Sequence, residues 1–133
     1  SGHPVAAAVA LANLKVIEDD GLIEKVRNDT GPYLAEALQR LADHPMVGEV
    51  RSFGLLGAVE LVEHKDGPKH FAQQGHAAVV VRDHAINMGM MIRAVRDGMI
   101  LSPPLTYERA DIDATIDILH KALDAAMDTL KLS

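Results

Sequence analysis

An α+β domain, a small and mainly antiparallel sheet with helices packed on one face, is what this sequence predicts, and three observations predict it. Two stretches, residues 47–62 and 91–105, read as hairpins: short apolar runs with two-residue alternation, joined or bounded by Gly and Pro. Four other stretches carry apolar residues at the three-to-four spacing of a helix. Their order along the chain is helix, helix, hairpin, helix, hairpin, helix.

The first helix is expected from Pro4 to about Asp19. Pro4 suits a first helical position, where its missing N–H costs nothing. The segment is apolar almost all round, with only Asn13, Lys15 and Glu18 as polar breaks, so it is expected to be buried on several sides, partly against a missing domain or a second subunit. Asp19-Asp20-Gly21 closes it, with Gly21 as a left-handed cap. A second helix carries Leu22, Val26, Leu34, Leu38 and Leu41, and Gly31-Pro32 should kink it rather than end it.

The first hairpin has arms at Val47–Ser52 and Leu55–Val62. In the second arm Leu55, Gly57, Val59 and Leu61 share a face, and Glu60 on the other is a candidate partner for Arg51 or Arg93. His64–Pro68 is polar and reads as a loop. A helix from about Lys69 to Asn87 follows, carrying Phe71, Ala78, Val79, Ala85 and Ile86, with Gly89 as its cap.

The second hairpin, Met91–Leu105, is expected to turn at Asp97-Gly98, because Gly tolerates the positive φ of tight turns. Alternation puts Met91, Arg93 and Val95 on one face and Ile92 and Ala94 on the other. One face thus carries a guanidinium in apolar company, which requires either a protein carboxylate or a ligand anion. From this stretch alone a structural ion pair is the simpler reading of Arg93. Ser102-Pro103-Pro104 ends the second arm, since proline cannot donate to a ladder. Thr106 is the expected N-cap of the last helix, whose apolar stripe is Ile112, Ile116, Leu119, Leu123, Met127 and Leu130.

Composition bounds the function. The 133 residues suit one domain, residues 1–133, with a core of its own. A net charge of −6 disfavours nucleic acid or an anionic membrane surface as the main partner. Cysteine is absent, which removes disulfides and thiolate chemistry and fits a cytoplasmic location. No apolar run is long enough to cross a bilayer. His70, His76 and His84 lack the one-turn spacing of a metal pair on a helix, so no metal site is expected. Ser102 lacks a nucleophile-elbow context. Asp111, Asp113 and Asp117 read as a solvated helix face, and the methionines at 88, 90, 91 and 99 as core filler. The single candidate anion cradle is the helix start at Ser1-Gly2-His3, where free N–H groups meet the helix dipole. The chain opens there without an initiating Met, and it is expected to be a piece of a longer protein.

Three separated stretches together resemble one family. Ser1-Gly2-His3-Pro4-Val5-Ala6-Ala7-Ala8, Val50-Arg51-Ser52-Phe53-Gly54-Leu55-Leu56-Gly57-Ala58-Val59-Glu60-Leu61, and Arg93-Ala94-Val95-Arg96-Asp97 through Ser102-Pro103-Pro104-Leu105 are similar, in order and spacing, to the carboxyl-terminal part of class III pyridoxal-phosphate aminotransferases. The Ser-Gly-His-Pro opening and Ser-Pro-Pro-Leu ending look most like the omega-amino acid:pyruvate branch. The resemblance implies the C-terminal small domain of a fold-type I pyridoxal 5'-phosphate enzyme, without the large cofactor-binding domain. It implies that the cofactor-holding lysine lies upstream of Ser1, so that none of Lys15, Lys25, Lys65, Lys69, Lys121 and Lys131 is catalytic. A family threonine that reaches the partner subunit's cofactor phosphate would also lie just upstream, which places Ser1 and Gly2 near that phosphate. Arg93 falls where the family binds the substrate carboxylate with an arginine that can swing aside for bulky or uncharged amines. A homodimer, amine and keto-acid substrates, and an isolated chain without transaminase activity follow from the same resemblance. Where the family often has Gly-Asp after this strand, the chain has Arg96-Asp97-Gly98. Other readings stay open at this point: an aminomutase or decarboxylase of the same class, a stand-alone module binding small carboxylates, or a fragment that only dimerises.

Overall fold

Four strands, β1 (Val47–Phe53), β2 (Leu56–Leu61), β3 (Arg93–Val95) and β4 (Gly98–Leu101), pair antiparallel throughout in the order β1-β2-β4-β3 in the computed structural model, which describes residues 2–66 and 70–132. The predicted α+β layout is therefore present, with both predicted hairpins. The helices are α1 (Pro4–Asp19), α2 (Leu22–Lys25), α3 (Gly31–Gln39), α4 (His76–Asn87) and α5 (Arg109–Leu130), and a π-helical turn at Val26–Thr30 joins α2 to α3.

Alternation along the strands decides which sheet face is dry. Gly57, Val59 and Leu61 of β2 and Met99 and Leu101 of β4 point inward, and α3, α4 and α5 cover them with Leu34, Leu38, Val81, Ala85, Ile112, Ile116, Leu119 and Leu123. The register puts Glu49, Arg51 and Phe53 of β1 beside Glu60, Ala58 and Leu56 of β2 on the opposite face, and carries that face on through Ile100 to Arg93 and Val95. No helix covers this side among the described residues, and Phe53 is 87% exposed. The expectation that helices pack on one face holds.

The kink at Gly31-Pro32 is a change of hydrogen-bond register. Proline has no N–H and its ring crowds the carbonyl four residues back, so the α ladder cannot pass through it unchanged. The Gly31 N–H instead reaches the Val26 carbonyl five residues back, which closes a π turn and lets the helix continue. Gly21 and Gly89 both adopt positive φ, as expected of helix caps. At Gly89 the bonds Gly89 N–H to Ile86 and Met90 N–H to Ala85, each 2.9 Å, make a Schellman motif.

Several boundaries differ from expectation, and for the third helix and the second hairpin a distant residue sets them. The third predicted helix begins at His76, not near Lys69; Gly67, Pro68 and Lys69 lie outside the described residues. Gly75, at φ +82°, precedes it and donates its N–H to the Asp97 carboxylate at 2.7 Å. The helix start is therefore pinned by a residue 22 positions away, Phe71 falls outside the helix, and the inward residues are Ala77, Ala78, Val81 and Ala85, while Val79 and Ile86 are exposed. The second hairpin turns at Arg96-Asp97, with Val95 paired to Gly98. Asp97 is held on both sides, its carboxylate by Gly75 and its carbonyl by the Leu61 N–H at 2.7 Å, and the positive φ consequently falls on Arg96 at +52°. The last helix is capped by Glu108, whose N–H donates to Asp111 at 2.9 Å, rather than by Thr106, whose carbonyl accepts from Lys25.

Asp113 is likewise more than a solvated side chain. It accepts from the Tyr33 hydroxyl at 2.9 Å and from Arg40 at 2.6 Å, tying α5 to α3. Arg40, then Tyr33, hold its carboxyl below the ordinary value of 3.8. Arg109 pairs with Asp29 at 2.7 Å and lies 4.9 Å from the Tyr33 ring centroid, adding a second tie of the same kind. Of the methionines, Met99 is fully buried, Met90 is half-buried, and Met88 and Met91 are exposed, so core filler describes only part of the set. The first helix buries none of its residues; Val5, Val9, Leu11, Leu14 and Val16 are all exposed and only Ile17 is partly covered.

His44, in the turn between α3 and β1, is buried and couples that turn to α5. Its Nδ1 accepts the Met46 N–H at 3.1 Å and its Nε2 faces Asp124 at 3.3 Å, while His120 reaches the other oxygen of Asp124 at 3.1 Å. Burial pushes the His44 imidazole below its ordinary 6.5, against Asp124, which favours the charged form, and with His120 and Lys65, which disfavour it. An unfolded chain then binds the proton more readily than the folded one. This contribution to stability is complete above 6.5 and is lost as pH falls from there through the lower folded-state value. Urea unfolding at pH 7, 6 and 5 is expected to show stability declining with pH, with a shallower slope for His44→Gln. Equal slopes in the two proteins would remove His44 as the cause.

Candidate functional site

Strand β3 is an edge strand three residues long, and an edge leaves one side of its backbone and its outward side chains open. Ile92 and Ala94 turn toward the core, with Ile92 only 8% exposed. Arg93 points the other way and is exposed. The expected carboxylate partner is not there: Glu60 takes Arg51 at 3.4 Å, and among the described residues no carboxylate pairs with Arg93. Strand order explains why, since β4 lies between β2 and β3 and keeps Glu60 two strands away.

Arg93 lies at a cavity of about 540 Å³. Its neighbours in that wall include Ile100 across the hairpin, Ser102 and Pro103 beyond β4, Tyr107 before α5 and Thr115 on α5. Apolar surface with a few hydroxyls and a cation is the usual makeup of a small-molecule pocket. A guanidinium here presents a planar fork of donors to a carboxylate without first breaking an internal ion pair. Ser102 enters the site as a wall residue next to the strand-ending prolines. Tyr107 and Thr115 gave no signal in the sequence, because neither stands in a motif and both reach the cavity through the fold alone.

The other expected site residues are placed elsewhere. Ser1 lies outside the described residues. Gly2 is exposed at φ +93° and does not line the Arg93 cavity. Its helix start is partly satisfied from within, because His3 Nδ1 accepts the Ala6 N–H at 3.3 Å. None of the described lysines lines the cavity: Lys15 pairs with Asp19, Lys25 with Glu108, and Lys65 donates to the Ala42 carbonyl at 2.6 Å. Among the described residues there is no group of His, Cys, Asp or Glu able to hold a metal ion, and no helix long and apolar enough to cross a membrane.

Comparison with known proteins places this geometry in a family. The family model for class III aminotransferases matches residues 1–123. A putrescine–pyruvate aminotransferase of Pseudomonas aeruginosa is 46% identical over 124 residues, which cover 93% of this chain and 27% of that protein. A mitochondrial gamma aminobutyrate transaminase of Solanum lycopersicum is 34% identical over 92% of this chain and 24% of its own length. Among solved structures, the omega transaminase of Pseudomonas jessenii in complex with PMP superposes with a TM-score of 0.91 at 35% identity, over 98% of this chain and 29% of that one. The chain thus spans between 24% and 29% of the length of these relatives, and its fold is that of a portion of fold-type I transaminases. With the match running through Arg93 and the whole antiparallel sheet, the chain belongs to the class III aminotransferase family.

Proposed function

We propose that this chain is the C-terminal, substrate-orienting part of a pyridoxal-phosphate-dependent transaminase that moves an amino group from an omega-amino acid or amine to pyruvate or a similar keto acid. The observation that carries this reading is Arg93, an exposed and internally unpaired guanidinium at a cavity, in a chain matched to the family along residues 1–123. Arg93 would grip the carboxylate of the keto acid through its two-pronged fork, and its position on an edge strand leaves it free to swing aside for an uncharged amine.

Pyridoxal 5'-phosphate supplies such an enzyme with an electron sink when bound. The described residues do not make a site for it by themselves, because no lysine lines the cavity and Gly2 lies away from it. This chain's contribution is therefore confined to binding and orienting the carboxylate, and by itself it should not transaminate. The exposed apolar side of α1 supports an assembly larger than this chain, and a homodimer is the form we assign. The absence of cysteine agrees with a cytoplasmic location.

The test is Arg93→Ala in the intact enzyme. Losing a charge-assisted pair costs about 1.5–3 kcal/mol, so kcat/KM for the keto acid should fall roughly ten- to a hundredfold. Use of a simple amine donor should change far less, and Arg93→Lys should recover part of the loss by restoring charge without the fork. Unchanged keto-acid kinetics in Arg93→Ala would overturn the assignment.

A further inference from the structure

Beside the Arg93 cavity, which reaches from the β3 edge toward the covered side of the sheet, the open face carries a second cleft of about 520 Å³ whose polar rim holds Arg96, Arg51, Gln74 and His70. Ile100 lines both spaces and pairs directly with Arg93, so the two adjoin across one apolar side chain. The charges in this cleft are unevenly matched. Arg51 is shared between Glu49 at 3.3 Å and Glu60 at 3.4 Å. The Asp97 carboxylate is turned inward onto the Gly75 N–H, leaving Asp97 8% exposed. Among the described residues no acidic side chain pairs with Arg96, which leaves it as the cation in the cleft without a counterion.

Arg96 also occupies a costly conformation. At φ +52° it sits where glycine is the natural choice in a tight turn. No hydrogen bond of the described residues uses its side chain, so nothing within the fold accounts for an arginine at this position. A strained residue that carries a free charge into a cleft is a feature of a binding site rather than of a scaffold.

We propose that Arg96 is a second carboxylate-binding residue, so that the outer face of the sheet accepts a dicarboxylate with one end on Arg93 and the other on Arg96. This deepens the reading of Arg93 and rests on it. Three residues of extended chain put the two Cα atoms about 10 Å apart, a span that two arginine side chains and a five-carbon diacid can bridge. Ile100, Ala58 and Val95 provide an apolar floor for the methylenes between the two ends. Glu60, already engaged by Arg51, would oppose the distal carboxylate only weakly.

The experiment titrates the full 133-residue chain with glutarate and with propionate, followed by amide NMR shifts, in the parent and in Arg96→Gly and Arg93→Ala. In Arg96→Gly the Kd for glutarate should rise roughly tenfold while that for propionate moves less than twofold. The same variant should melt no lower than the parent and up to about 4 °C higher, because glycine removes the strain, and this separates lost binding from lost folding. Arg93→Ala should weaken both ligands. An unchanged ratio of glutarate to propionate affinity in Arg96→Gly, or no glutarate binding to the parent chain, overturns the proposal. If propionate binding instead survives Arg93→Ala, it is the reading of Arg93 that fails.

Discussion

Gly31→Ala should lower the unfolding free energy by about 3 kcal/mol or more, although helix propensity alone would predict a gain of about 1 kcal/mol from the same change. A Cβ built on Gly31 would stand 2.4 Å from the Val26 carbonyl oxygen and 3.2 Å from the Gly54 Cα. Both obstacles are backbone, so neither can rotate away. The first is the acceptor of the π turn, and the second is the corner between β1 and β2, where Gly54 itself adopts φ +56°. The α2–α3 helix and the first hairpin thus meet main chain to main chain, and a methyl group must displace one of them. Gly48→Ala makes the useful comparison: its Cβ would meet the Val62 Cγ1 at 2.5 Å, a side-chain methyl that can yield, and the cost should be smaller. Urea unfolding of the two variants checks the order. A Gly31→Ala protein as stable as its parent would show that the π turn relaxes freely.

Leu38→Ala should cost about 3–4 kcal/mol, toward the upper part of the range for buried leucines. Leu38 is 1% exposed and its Cδ1 rests over Gly57, 3.1 Å from where a Cβ would stand, with the Leu101 Cδ1 at 3.4 Å. Gly57 itself offers no side chain to collapse into the space. Gly57→Ala alone should cost about 1 kcal/mol through crowding of the same leucine. Together they should cost at least about 1 kcal/mol less than their sum, since the new methyl occupies part of the cavity that Leu38→Ala opens. Strict additivity in the double-mutant cycle would refute this account of the contact.

Much of the fold was legible because periodicity is a property of neighbours in sequence. The stripe Ile112, Ile116, Leu119 and Leu123 lies on one side of a helix whatever surrounds it, and all four residues are buried. The alternation of Gly57, Val59 and Leu61 likewise fixes which face of β2 is dry, and the caps at Gly21 and Gly89 need only the absence of a Cβ. Arg93 was legible as a residue whose charge demands a partner, but not as one left unpaired. That depended on β4 lying between it and Glu60.

The sequence by itself determined the α+β class, the number of hairpins, the inward faces of β2 and α5 and the family, since each is carried by local spacing or by residues contiguous in the chain. Only the tertiary structure decided that α4 begins at His76 behind Gly75, that the second hairpin turns on Arg96, and that Asp113 ties α5 to α3 through Tyr33 and Arg40. Each of those outcomes depends on a contact absent from the local sequence: Gly75 with Asp97 across 22 residues, and Tyr33 with Asp113 across 80. A hydrogen bond or ion pair of that span can outweigh a local preference worth about 1 kcal/mol or less, and no local pattern shows in advance where it will form.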